Sequence, residues 1–392
     1  MTAHFELRAS LTPFLCCLAL LVAELVASPA DAEVLPGSVV YVESNAGPPD
    51  GNSILAYRID AAGSLTPVDG SPFAAGGYGT SNVELTAGQF DSDQNVIVSS
   101  DGARLFAVNS GSNSIAVFDI GLGGVLTAVK GSPFPSGGVN PVSVGLAGNQ
   151  LYVIHKGDDS LPDFLPNYST FQVTPDGQLI QIPKFTIEIP AGSSPTQALI
   201  SPDDSLLFDA NFGSSMLRSF RILDDGRLQP NEPQDSSPPL GLQVHPTESL
   251  LYVGYVAANE LAVYSYDASG TLQFLSSVPD SGRAICWLAI DRAGACLYAA
   301  NTGDNSVSAF DLTDPTEPVE VQRLLLAGAG LPFQIALDPS GAILNVVSQR
   351  ANTLHLVRVD PGCALTELDS SPLALPVPEN TRIQGVAVIA QP

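Results

Sequence analysis

Short apolar runs broken by turn residues alternate along the chain, and the clearest example is Leu297-Tyr-Ala-Ala-Asn-Thr-Gly-Asp-Asn-Ser-Val-Ser-Ala-Phe-Asp-Leu312. Leu297 to Ala300 is one apolar run. Asn301 to Ser306 carries turn chemistry, because Gly and Asn tolerate the left-handed backbone of a sharp reversal. Val307 to Leu312 alternates apolar and polar residues, which predicts a half-buried strand. A lone hairpin is marginally stable at best, so this one is expected to be a copy of something larger.

The same hairpin recurs at Val40-Tyr41…Tyr57, Leu105-Phe106…Phe118, Leu151-Tyr152…Phe171, Leu207-Phe208…Phe220, Leu251-Tyr252…Tyr264 and Ile343-Leu344…Val357. Equivalent residues stand 44 to 61 positions apart, close to the length of one four-stranded propeller blade. Each copy also carries an apolar run before the hairpin, as in Ile335-Ala-Leu-Asp-Pro-Ser-Gly341, and a second turn after it, as in Pro175-Asp-Gly177. The first hairpin lacks the preceding run. The last residues, Gln384-Gly-Val-Ala-Val-Ile389, are such a run with no hairpin after them. The pattern therefore predicts an all-β fold: a seven-bladed β-propeller with four antiparallel strands per blade. Its ring is closed by the C-terminal strand pairing with the N-terminal blade, so that no open sheet remains between first and last blades.

Residues 1–32 read as a secretory signal: Arg8 leads, Leu11 to Val26 is mostly apolar, and Ala30-Asp-Ala32 offers small residues at a cleavage-type spacing. An uncleaved anchor is the alternative, although Pro13 and Glu24 leave a short apolar core for a spanning helix. Residues 33–392 then form a single propeller domain, exported to a periplasmic or extracellular location and free of the membrane once the signal is cut. The 35 glycines and 32 prolines suit short strands and turns, while 45% apolar residues suffice for a core.

The net charge of −25 becomes −23 when residues 1–32 are removed, since Arg8 leaves with Glu6, Glu24 and Asp31. Such a surface repels phosphate backbones, which argues against nucleic-acid binding and favours a soluble monomer. Cys286 and Cys296 fall on neighbouring strands but too far apart along them to bond, and both are read as small buried apolar residues. No Gly-x-Ser-x-Gly, His-Glu-x-x-His, Cys-x-x-Cys or P-loop pattern is present, and no cofactor or metal is expected. Asp91-Ser-Asp-Gln-Asn95 imitates a calcium loop, but Val96 and Gly102 replace the required Gly and Glu. Asn167-Tyr-Ser169 is a glycosylation sequon.

Blade topology sorts the turns. First-to-second and third-to-fourth turns share one face and look purely structural. Second-to-third turns and blade connections share the other, which carries the irregular loops where function tends to sit. His155 opens the longest of these, in the place where sister copies have Asn109, Asn211 and Asn301. A histidine there has the intrinsic pKa of a general base; the competing reading is that it performs the turn role of those asparagines. Lys156, Asp158, Asp159, Arg283, Arg350 and Arg382 map to the same side, and arginine suits a carboxylate-bearing ligand. Trp287 begins an inner strand where other copies have Asn95, Gln197, Gln334 and Gln384, polar residues expected near the channel mouth. A tryptophan there can stack on a sugar ring or pack between blades.

Leu297-Tyr-Ala-Ala-Asn-Thr-Gly-Asp-Asn-Ser-Val, Val244-His-Pro-Thr-Glu-Ser-Leu-Leu-Tyr252, Leu337-Asp-Pro-Ser-Gly341 and the Gly-Ser-Pro-Phe tetrads at 70–73 and 131–134 make the chain resemble the seven-bladed lactonase family. These are propellers akin to bacterial 6-phosphogluconolactonase and fungal carboxymuconate-lactonizing enzymes, with YVTN-type bacterial propellers as wider kin. The resemblance implies lactone hydrolysis. Water would attack the ring carbonyl with His155 as base and Arg283 stabilising the oxyanion, and Lys156, Asp158, Asp159, Trp287, Arg350 and Arg382 would bind the ligand. The implied ligand is a small lactone or carbohydrate-like molecule. The family's Pro-His reads Pro195-Thr196 here, and its Asn-Arg reads Asn301-Thr302. The alternative function is a non-catalytic propeller that binds a ligand or partner protein through its variable face.

Overall fold

The computed structural model describes residues 1–2, 37–60, 63–81, 92–158, 163–182, 185–328 and 330–391. The expected secretory segment lies outside the described residues apart from Met1 and Thr2. Residues 35–392 form one compact unit built from seven antiparallel sheets.

Blades two to seven each take four consecutive stretches of chain, with the innermost strand first. Blade six runs Ile285–Ile290, Cys296–Asn301, Ser306–Asp311 and Val319–Leu325. Blade one is assembled from both chain ends. Its inner strand, Gln384–Ala390, runs antiparallel to Ser38–Glu43, pairing Val40 with Val388 and Ser38 with Ala390. The ring closes as the orphan C-terminal run predicts.

Seven apolar clusters fill the seven gaps between blades. Successive residues of one strand serve opposite neighbours: Val39 and Tyr41 pack toward blade two, while Val40 and Val42 pack toward blade seven. Both faces of every blade are therefore covered, and this corrects the half-buried strand expected at Val307 to Leu312. Ser306 and Ser308 are fully buried, because the face they occupy meets another blade instead of water. Their hydroxyls are satisfied internally, since the Asn301 amide donates to both.

The outer strand is continuous only in blades five and six; elsewhere it splits into two short pieces, both paired with the third strand. The Gly-Ser-Pro-Phe tetrads explain the break in blades one and two. Gly70 and Gly131 take φ of +90° and +94°, which only glycine adopts without strain. The following serine then replaces the missing ladder partner: the Ser71 hydroxyl accepts the Ala56 N–H at 2.9 Å and the Ser132 hydroxyl accepts that of Val117 at 2.8 Å.

Neighbouring blades are also riveted. Tyr41, Tyr152 and Tyr252, at matching second-strand positions, donate to carbonyls of the next blade at Gly124, Gly226 and Pro315. Tyr298 is the fourth such tyrosine and makes no hydrogen bond. Beside it, Cys296 forms a disulfide with Cys363, in the blade-seven turn that the tyrosine would otherwise meet. This corrects the reading of Cys296 as an unbonded apolar residue. Cys286 takes no part in the bond, as the strand rise requires, and Cys363 arrives from the next blade; the buried Cys286 thiol donates instead to the Ala284 carbonyl.

Candidate functional site

The final residue of each second strand forms a ring under the irregular face. Register places His155 opposite Asn167 as Asn109 stands opposite Ser114 and Asn301 opposite Ser306, so His155 does occupy the asparagine position. Its Nδ1 lies 3.4 Å from the Asn167 carbonyl oxygen. That oxygen only accepts, which favours a proton on Nδ1, and Nε2 is buried. The imidazole has no exposed surface, and burial lowers its pKa to about 4. Gly138 packs against the ring so closely that a Cβ there would sit 2.6 Å from its carbon.

The remaining predicted residues fall into groups on different blades. Lys156 is buried beside His155 and donates from Nζ to the Ser194 hydroxyl at 3.0 Å. Asp158 is half-buried, and its N–H closes the loop onto the Phe164 carbonyl. Asp159 lies outside the described residues. Arg350 and Arg382 meet where blade seven joins blade one: burial and, second, the Arg350 guanidinium lower the Arg382 pKa. Arg283 is exposed at the entry to blade six.

Trp287, expected near the channel mouth, is fully enclosed. Its ring packs edge-on to Phe333, centroids 5.5 Å apart, in a cluster with Leu240 and Cys286. The apolar stack leaves the indole N–H without an acceptor. The sequon asparagine, Asn167, is likewise buried and donates to the Leu165 carbonyl. Of the other histidines, His245 accepts the Thr247 and Glu248 N–H groups in a turn, and His355 pairs with Glu367 at 2.7 Å.

Thr196, where the resemblance would place a histidine, is equally closed. The Thr196 hydroxyl lies within hydrogen-bond reach of the Leu240 and Ala210 carbonyls, one of which takes its proton, and the Thr196 and Gln197 N–H groups donate to Asp209. Burial raises the Asp209 pKa to about 6, against the lowering effect of those donors and of the Tyr168 hydroxyl. Among the described residues no group of three or more His, Cys, Asp or Glu side chains is placed to hold a metal ion.

The polar residues at the inner-strand starts do converge. Gln334 donates to the Ser92 carbonyl at 2.7 Å and to the Asn95 side chain at 3.2 Å, while Asn95 donates to the Val142 carbonyl. The Asp93 N–H reaches the Thr196 carbonyl, and the Val144 N–H reaches that of Gln94. Ser92 to Asn95 therefore straps the end of the axial channel, touching the inner ends of blades three, four and seven. Below it lies a cavity of about 820 Å³, walled by inner-strand residues such as Val98, Leu288, Leu337 and Val388. Sequence reasoning missed this strap. Its one visible trace was the aspartate-rich stretch at 91–95, read only against a calcium loop.

Residues 241–384 match the family model "Lactonase, 7-bladed beta-propeller". A probable 6-phosphogluconolactonase of Arthroderma benhamiae is 22% identical over 295 residues, 67% of this chain and 73% of that protein. The carboxy-cis,cis-muconate cyclase of Neurospora crassa is 31% identical over 108 residues, 26% of this chain and 29% of the relative. The periplasmic gluconolactonase of Pseudomonas aeruginosa superposes with a TM-score of 0.69 at 18% identity, covering 91% of this chain and 100% of that one. The match to the lactonase family model thus spans the last three blades of a closed ring of seven.

Proposed function

We propose that this is an exported propeller that handles a small uncharged or weakly anionic lactone, or a carbohydrate-like molecule, on its irregular face. The observation that carries the reading is the lactonase-family match over residues 241–384. Charge narrows the ligand: a formal net charge of −25 disfavours a phosphorylated lactone, whereas a gluconolactone-type ring meets no such barrier. The disulfide supports export, because such bonds persist in oxidising compartments. Arg350 and Arg382 together suit the carboxylate of an opened lactone.

Binding without hydrolysis is the second reading, and specific observations favour it. The proposed base, His155, has no exposed surface, and Arg283 stands on another blade. Turnover by this pair requires the His155 imidazole to become accessible. The deciding experiment is a pH-stat assay of gluconolactone opening alongside calorimetric binding of the same lactone and its acid. Catalysis predicts acid release well above the spontaneous rate, reduced at least tenfold in His155→Ala; binding alone predicts a saturable heat with no acceleration. Neither acceleration nor heat across a panel of uncharged lactones would overturn the proposal.

A further inference from the structure

We propose that Ser194 and Lys156 are a nucleophile and its base, placed to open a lactone through an ester formed on Ser194. The substrate class rests on the reading above; the pair rests on its own geometry. Lys156 Nζ lies 3.0 Å from Ser194 Oγ, within the reach that a base needs to take a hydroxyl proton. The lysine follows the second strand of blade three and is buried, whereas the serine stands at the entry to blade four and is partly exposed. The base is enclosed, and the nucleophile faces solvent.

The fold fixes both partners. At four blade entries a residue in left-handed backbone accepts the N–H of the residue just past a second strand: Asn140 from Lys156, Ser194 from Phe212, Ala284 from Thr302 and Leu331 from Gln349. Their φ angles are +55°, +49°, +57° and +59°, uncommon for residues that bear a side chain. The conformation therefore belongs to the entry, and of these four only Ser194 places a hydroxyl there. The residue past the second strand in turn reaches the next blade's entry. The Thr302 hydroxyl donates to the Pro332 carbonyl as Lys156 reaches Ser194, and Lys156 is the one cation among its three counterparts, Phe212, Thr302 and Gln349.

The chemistry balances without a cofactor. As an uncharged amine, the form that burial favours, Lys156 Nζ takes the Ser194 proton while Oγ bonds to the lactone carbonyl carbon. The ring C–O bond breaks, and the departing ring oxygen receives that proton. Water then attacks the ester carbon and passes a proton to Nζ; Oγ leaves and recovers it, releasing the hydroxy acid.

The probe is p-nitrophenyl acetate at pH 8, with nitrophenolate release followed by stopped flow and the protein quenched in acid for peptide mass mapping. The expected result is a burst of release with the acetyl group on Ser194. Release should slow at least tenfold in Ser194→Gly, whose glycine adopts the positive φ without strain, and in Lys156→Met, which keeps an apolar stem in the buried position. Acetyl found only elsewhere, Lys156 included, no acetylated Ser194, or unchanged release by folded Ser194→Gly would each overturn the assignment. If a variant does not fold, the wild-type map alone decides. Acetylated Ser194 with no acceleration of any lactone would keep the nucleophile and reject the lactone reading, whereas lactone turnover unchanged in Ser194→Gly would do the reverse.

Discussion

His155 shows how one residue type carries two meanings. In sequence it is the functional-looking exception among asparagines. In the fold it makes the cross-strand contact of that register position, to the Asn167 carbonyl, and is sealed from solvent. Its folded pKa of about 4 lies below the ordinary 6.5, so the neutral ring contributes stability above pH 6.5 that is lost as the pH falls toward 4. The loss amounts to about 2 kcal/mol by pH 5. Asp93, Asp209 and Glu43 shift upward through burial and act oppositely, gaining stability as the pH falls. The wild-type profile alone therefore does not isolate the histidine. His155→Asn should fold at pH 7.5 and lose about 2 kcal/mol less than wild type between pH 7.5 and 5 in urea unfolding. Parallel profiles for the two proteins would mean that the imidazole stays hydrated.

At the level of the blade, hydrophobic clusters supply contact, and point links set the angle between neighbours. Three interfaces use a tyrosine hydroxyl on a turn carbonyl, and the blade six–seven interface uses Cys296–Cys363. The bond spans 67 residues, and a loop of that length corresponds to about 4 kcal/mol of lost denatured-state entropy. Cys296→Ser with Cys363→Ser should lower the urea midpoint by an amount consistent with a few kcal/mol, as should reduction of the wild type. An unchanged midpoint after verified reduction would show that packing alone holds these two blades.

Over the whole ring, stability rests on closure. Gln384–Ala390 pairs along the entire Ser38–Glu43 strand and supplies Val386, Ala387 and Ile389 to the clusters on both sides of blade one. Deleting residues 383–392 removes one strand but opens two interfaces and exposes a sheet edge. The truncated protein is expected to lose its single cooperative transition and to aggregate on heating, as read by calorimetry and light scattering. An unaltered melting transition would show that the terminal strand is dispensable for closure.

The sequence alone determined the hairpin, its seven copies and the strand left over for closure. Those features follow from local chemistry: apolar runs of strand length, glycine and asparagine where the backbone must turn, and a repeat that counts itself. The polar inner-strand starts, Asn95, Gln334 and Gln384, were legible for the same reason. Tertiary structure decided what each side chain faces. Ser308 reads as a solvent position until the neighbouring blade covers it, and Trp287 reads as a rim residue until Phe333 arrives from blade seven. Cys296 finds Cys363, and Asp93 comes to floor a channel whose walls belong to other blades. In a ring whose blades each cover their neighbours, alternation along a strand chooses between two adjacent blades instead of between core and water, so burial depends on residues tens of positions away.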